Sequence, residues 1–284
     1  MGRFRKIMGI LLIPALLTVF LLWENFSIQK ELVSLSLPRL PSSFDGFRVA
    51  EIADLHGREF GRDSRRLLRA VEDCRPDLIA MDGDLFDEDT NLTILPPLLS
   101  GLVKIAPTFY VTGNHEWQVP ERQEIFSLME KLGVRVLRNE YTVLHRGGDR
   151  IVIAGVDDPC GPLERKSPQA LVEEIQENEG EDVFLLVLAH RNDELTLWSS
   201  LGADLVLAGH AHGGVIRLPY LGGVIGNDRQ LFPDFDAGIF REKATCLYVS
   251  RGLGPAGFRL FNRPHLPLLE LRTGNREHSV NNSP

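Results

Sequence analysis

The chain has 284 residues, 43% of them hydrophobic, and a formal net charge of −8. That length suits one large domain or two small ones, and the acidic balance argues against a protein that coats nucleic acid, so no nucleic-acid partner is expected. Cys74, Cys160 and Cys246 are too scattered for a disulfide framework or a zinc ribbon and read as small buried hydrophobes. In chain order, Arg3, Arg5 and Lys6 precede an uncharged run from Ile7 to Trp23, 17 residues long. That is the lower limit for a membrane-spanning helix. No Ala-x-Ala site follows, which favours an uncleaved anchor over residues 1–30 rather than a signal peptide. The flanking charges place the remaining chain outside the cytoplasm.

Residues 31–46, with Leu37-Pro38-Arg39-Leu40-Pro41-Ser42-Ser43, read as a linker. A domain over 47–272 follows. Strands are expected at Arg48–Ala53, Asp77–Met81, Thr108–Val111, Val183–Leu188 and Asp204–Leu207, with several short ones between Val134 and Val156. Helices are expected at Asp63–Cys74 with Asp63 as N-cap, and at Thr90–Ile105 interrupted near Pro96-Pro97. Others are Glu121–Leu132 ending at Gly133, Pro168–Asn178 capped by Ser167, and Asp193–Leu201. From Val215 to Leu271 strands dominate, with turns at Gly222-Gly223 and Asn227-Asp228, and 273–284 is a polar tail. The pattern predicts an α/β domain of two sheets with helices outside.

Five of the eight histidines fall in short polar clusters, each directly after an apolar strand: Asp54-Leu55-His56, Gly83-Asp84-Leu85-Phe86-Asp87, Gly113-Asn114-His115-Glu116, Ala189-His190 and Gly209-His210-Ala211-His212. Ligands bind beyond the carboxyl ends of strands in α/β sheets, so five strand ends can serve one point. Asp54 and His56, two apart at a strand end, should point the same way, as should His210 and His212. Asp84 can give one oxygen to each of two cations; Asp82 and Asp87 are alternatives, Asp87 also as a residue orienting a ligand. Asn114 offers a neutral oxygen. His115 should face the opposite way and act as proton donor, with Glu116 setting its tautomer or capping a turn. Asp54, His56, Asp84 and His212 would hold one ion, and Asp84, Asn114, His190 and His210 the other. Such nitrogen and oxygen ligands without thiolate suit Mn, Fe or Zn. Arg58, Arg191 and Arg251 are candidates to meet phosphate, Arg251 foremost.

These five motifs, in this order, resemble those of the calcineurin-like metallophosphoesterase superfamily. Phe44-Asp45-Gly46-Phe47-Arg48, Gly155-Val156-Asp157-Asp158-Pro159, Ser250-Arg251-Gly252-Leu253-Gly254 and Asn262-Arg263-Pro264 resemble a bacterial, membrane-anchored subgroup of it. The resemblance implies a four-layer α/β/β/α sandwich, two divalent ions, the ligand sets above, and His115 as general acid. It implies hydrolysis of a phosphodiester or pyrophosphate by a bridging hydroxide, and the subgroup extends the expected substrates to lipid-linked ones such as UDP-2,3-diacylglucosamine. A single-pass monomer at the bacterial cell membrane is expected. A phosphomonoesterase or protein phosphatase is the alternative, and a noncatalytic binding module a third. The fourth motif, His190-Arg191-Asn192, lacks the usual proline, and Val215 replaces the usual glutamine of the fifth.

Overall fold

The computed structural model describes residues 2–162, 165–218, 220–226, 230–255 and 259–274, with side chains from residue 12 onward. The expected turn at Asn227-Asp228 and the tail beyond Gly274 lie outside the described residues.

Helix α1 (Gly2–Phe26) leads into β1 (Gln29–Leu37), then β2 (Arg48–Ile52), α2 (Arg65–Cys74), β3 (Leu78–Asp82), α3 (Leu95–Ile105), β4 (Thr108–Val111), α4 (Arg122–Lys131) and β5 (Arg135–Val136). There follow β6 (Glu140–Arg146), β7 (Asp149–Gly155), α5 (Pro168–Glu179), β8 (Phe184–Leu188), α6 (Leu195–Leu201) and β9 (Leu205–Ala208). The chain closes with β10 (Ile216–Leu218), β11 (Gly222–Ile225), β12 (Gly238–Glu242), β13 (Thr245–Val249) and β14 (His265–Thr273). One six-stranded sheet runs β1-β14-β2-β3-β4-β5 and another β12-β13-β9-β8-β7-β6, with β10 and β11 forming a separate ribbon.

Three buried apolar clusters define the layers. Leu67, Leu98 and Phe126 of α2, α3 and α4 pack on Ile79 and Tyr110 of the first sheet. Val49, Leu78 and Phe109 meet Ile153, Leu186 and Leu207 between the sheets. Leu171, Ile175 and Trp198 of α5 and α6 cover the outer face of the second sheet. The central strands are buried on both faces, which is why they read as continuous apolar runs. The order is helices, sheet, sheet, helices.

Several expectations need correction. Residues 31–46 are not a loose linker: Gln29–Leu37 is an edge strand, parallel to β14 over nine residues, and Leu35 and Leu37 are buried. Asp63 does not cap α2; Asp63 and Ser64 both take left-handed backbone, and Ser64 precedes the helix without a side-chain cap. Pro96 and Pro97 do not interrupt α3 but occupy its first turn, where their missing N–H groups cost nothing. Cys160 is exposed and Cys74 half-buried, so only Cys246 packs as a buried hydrophobe. Ser167 does cap α5, accepting the Ala170 N–H. Among the described residues no helix is long and apolar enough to cross a membrane; the expectation for residues 7–23 rests on their composition alone.

Candidate metal centre

All five motifs leave the carboxyl ends of parallel strands. Asp54 and His56 follow β2, Asp84 follows β3, and Asn114 and His115 follow β4 in the first sheet. His190 follows β8, and His210 and His212 follow β9, in the second. The strand geometry used to orient them does not apply. Asp54, His56, Asp84, His210 and His212 have φ values of 49, 48, 49, 67 and 52°, a left-handed region that costs non-glycine residues on the order of 1–3 kcal/mol each. Strain of this kind, held by the surrounding fold, aims side chains that an extended strand would send apart.

The side chains form two joined clusters. His56 Nε2 stands 3.2 Å from His212 Nε2, and His212 Nε2 is 3.6 Å from Asp54 Oδ1. On the other side, His190 Nε2 is 3.2 Å from His210 Nδ1. Between them lies one carboxylate oxygen: Asp84 Oδ2 is 3.2 Å from His190 Nε2 and 3.7 Å from His56 Nε2. Ligand atoms bound to one ion at about 2.1 Å sit about 3–3.5 Å apart, so both clusters fit divalent cations. The buried Asn114 Oδ1 and Asp54 Oδ2 have no hydrogen-bond partner, as befits oxygens meant for a cation. Ligand atoms of Asp54, His56 and His212, of His56, Asp84 and His115, and of Asp84, His190 and His210 converge as three overlapping possible metal-holding groups among the described residues.

Surrounding groups set the ligands. His190 Nδ1 lies 2.8 Å from the Asp82 carbonyl, leaving Nε2 for the cluster. Asp82 thus acts through its backbone, and burial raises its carboxyl well above the usual range. Asp87 Oδ2 stands 3.5 Å from His56 Nδ1, where it can orient that ring. Glu116 does not set the His115 tautomer; it caps the turn of its own motif and reaches beyond it. Its enclosed carboxylate accepts the backbone N–H groups of Gly113, Asp84 and Leu85 at 2.7, 3.0 and 2.6 Å, tying the second motif to the third. Gly113 permits this approach, since a Cβ there would fall 2.2 Å from Asp84 Oδ1.

The electrostatics of the clustered side chains suit cations. Burial, reinforced by Asp84, raises Asp54 to about 7 against the pull of His190. Burial opposes a proton on His190, but Asp84 and Asp54 push it up to about 10. Burial lowers His210 to about 4, aided by His190 and Arg191. Burial, with His56, also holds His212 well below its ordinary value.

His115 turns into the same centre, not away from it. It takes helical backbone ahead of a short turn, so alternation along a strand says nothing about its direction. Its Nε2 is 4.0 Å from Asp84 Oδ2 with the side chain 40% exposed, and its ring stands edge-on to His56. Arg251 does not front the cluster; it reaches Glu31 of β1 at 3.5 Å. Two residues escaped the sequence reading. Asn262 donates from Nδ2 to the carbonyls of His212 and Gly214 at 2.8 and 2.7 Å. Arg259, fully buried, donates to the carbonyls of Gly254, Asn262 and Arg251. Asn262 braces the fifth motif directly and Arg259 holds the loop that carries Asn262; only the tripeptide Asn262-Arg263-Pro264 hinted at it.

A sequence model described as calcineurin-like phosphoesterase matches residues 47–214. The chain belongs to the calcineurin-like phosphoesterase family. Among relatives, the phosphodiesterase YaeI of Escherichia coli is 31% identical over 79% of this chain and 82% of its own. An uncharacterized metallophosphoesterase of Bacillus subtilis, YkuE, is 29% identical over 83% of this chain and 82% of its own. The solved structure of Thermus thermophilus sulfate thiohydrolase SoxB superposes with a TM-score of 0.51 and 14% identity, over 82% of this chain and 57% of that one; that likeness is one of fold. This calcineurin-like phosphoesterase is a metal-dependent phosphoric ester hydrolase, and residue groups that could hold its metals lie at the seam between the sheets.

Proposed function

We propose that the enzyme hydrolyses phosphodiester or pyrophosphate bonds with two ions of Mn, Fe or Zn, on a substrate carrying a long apolar group at a membrane surface, such as UDP-2,3-diacylglucosamine. The single observation that carries the reaction class is the Asp84 oxygen standing between the two clusters. Bound there, a pair of divalent ions would neutralise phosphate charge and supply a water acidic enough to yield hydroxide near neutral pH. Asp54, His56 and His212 would hold one ion, and Asn114, His190 and His210 the other, with Asp84 serving both. His56 is kept in place by Asp87, and the paired loops by Glu116. As the new phosphorus–oxygen bond forms and the ester bond opposite it breaks, His115 gives its Nε2 proton to the departing oxygen. Its exposure lets that proton be replaced from solvent.

The lipid-linked reading is supported by a cavity of about 570 Å³ that reaches from His56 along α1, with Leu21, Leu22, Phe26 and Pro255 in its walls. Leu12, Ile13, Leu16 and Leu17 of the same helix are exposed, an unusual apolar surface for a chain that never meets a partner or lipid. The neighbouring apolar segment, residues 254–261, falls partly outside the described residues.

Bis(p-nitrophenyl) phosphate and p-nitrophenyl phosphate, compared on metal-loaded enzyme, test the reaction. A diester kcat/KM about tenfold or more above that of the monoester is expected, and the reverse order would overturn the diester reading. Leu22→Arg should raise KM for long-chain pyrophosphate substrates and leave the aryl diester alone; equal effects on both would remove the lipid reading.

A further inference from the structure

Of the three arginines that sequence reasoning offered to substrate phosphate, two are spent elsewhere. Arg58 gives its guanidinium to the carbonyls of Asn25 and Leu253, docking α1, and Arg251 pairs with Glu31. Arg191 is different. Its Nε and Nη2 donate to Oδ2 and Oδ1 of Asp158 at 2.6 and 3.2 Å, a fork against a fork. The Asp158 side chain is 0% exposed and also accepts the Cys160 N–H, while its own N–H donates to Thr112 Oγ1, one residue before Gly113. Thus clamped, the guanidinium aims its remaining nitrogen at the metal centre: Nη1 is 2.9 Å from His210 Nε2.

The ring chemistry of His210 gives this contact a direction. Its Nδ1 faces His190 in the cluster. A neutral imidazole carries a single N–H, so Nε2 can accept from Arg191 only while Nδ1 bears the hydrogen. Were Nδ1 to serve a cation, the hydrogen would belong to Nε2 and two donors would confront each other. Asp158 still grips Nε and Nη2. Nη1, held rigid by that grip, would then be presented to an anion beside the ions.

We propose that Arg191 binds a nonbridging phosphoryl oxygen of the substrate through Nη1, on the His190–His210 side of the centre, with Asp158 as its positioning residue. The inference rests on the phosphoester reading above but not on the choice of diester over monoester, so inorganic phosphate is a sufficient probe. Full-length manganese-loaded protein is titrated calorimetrically with inorganic phosphate, and its metal content is measured. Arg191→Gln should keep the wild-type number of ions, bind phosphate at least tenfold more weakly, and raise KM for an aryl diester more than it lowers kcat. Arg191→Lys should restore part of the binding, and Asp158→Asn should show a milder form of the defect. Undiminished phosphate binding in Arg191→Gln would overturn the proposal. So would loss of an ion in that variant, because the arginine would then be a support for His210. Arg191-dependent phosphate binding in an enzyme that prefers monoesters would uphold this inference while the diester reading fell.

Discussion

His115 lies within ligand reach of His56 and Asp84, so its role as proton donor is one that metal content must separate from metal binding. It touches the centre through the edge of His56 and lies 4.0 Å from Asp84, farther than His190 or His56. His115→Ala should therefore keep both ions by metal analysis yet lose about a hundredfold or more in kcat on an aryl diester. An unchanged kcat would remove it from proton transfer. Asp54 and His190 make a second prediction. In the metal-free fold their protons leave near pH 7 and 10, and both must leave before a cation is held. Both values are raised, so the stabilisation these groups lend the metal-free fold is lost as pH rises through about 7 for Asp54 and about 10 for His190. Metal affinity moves the other way. It should rise between pH 6 and 9, by up to about tenfold per unit for each proton released, with proton release visible by calorimetry in buffers of different ionisation heat. A flat affinity profile over that range would contradict the assignment. At this scale the sequence exposed the ligands because histidine and aspartate are chemically conspicuous. It hid their directions because left-handed backbone leaves no periodic signature, and it hid Asn262 and Arg259 because an amide or guanidinium that bonds to carbonyls looks like any surface polar residue.

Strand β1 is the element whose identity changed most. Its sequence, Gln29-Lys30-Glu31-Leu32-Val33-Ser34-Leu35-Ser36-Leu37, carries charge at one end and alternates only weakly, as an edge strand can. Yet it lies along the whole of β14, and Glu31 pairs with His265 at 2.9 Å and with Arg251. A chain started at residue 38 should expose β14 and the core beneath Leu35 and Leu37, and aggregate or melt well below a chain started at Ile28. Equal melting temperatures for the two would return residues 31–37 to the status of linker. The central strands were legible because burial on both faces leaves an unbroken apolar run. The turn chemistry ahead of α2 was not, since Asp63 looks like an ordinary helix cap and only tertiary context sends it left-handed.

Each cluster draws on both sheets. Asp54, His56 and Asp84 come from one, and His190, His210 and His212 from the other. Ions that bind the folded seam and not the unfolded chain add RT ln(1 + [L]/Kd), about 4 kcal/mol at a thousandfold excess over Kd. For a domain of this size that corresponds to about 10 °C in Tm. Chelation followed by calorimetry should show a fall of that order, reversed by manganese, and no change in Asp84→Ala, where the shared oxygen is gone. An unaltered Tm after complete metal removal would mean that the ligands are held without help from the ions. The two-sheet layout was legible from strand-helix order, whereas the pairing of ligands across the seam was not, because no local pattern tells which strand ends face each other.

Only Ser27 and Ile28 separate the end of α1 from the first residue of β1. Arg263 grips that join through the Ser27 and Ile28 carbonyls while its guanidinium stacks on Trp23 at 4.1 Å. The helix is welded to the sheet edge, not tethered to it. Should the membrane proposal hold, the catalytic mouth would ride at one fixed height and tilt above the lipid, serving headgroups that come to it and ignoring soluble esters deeper in the surrounding fluid.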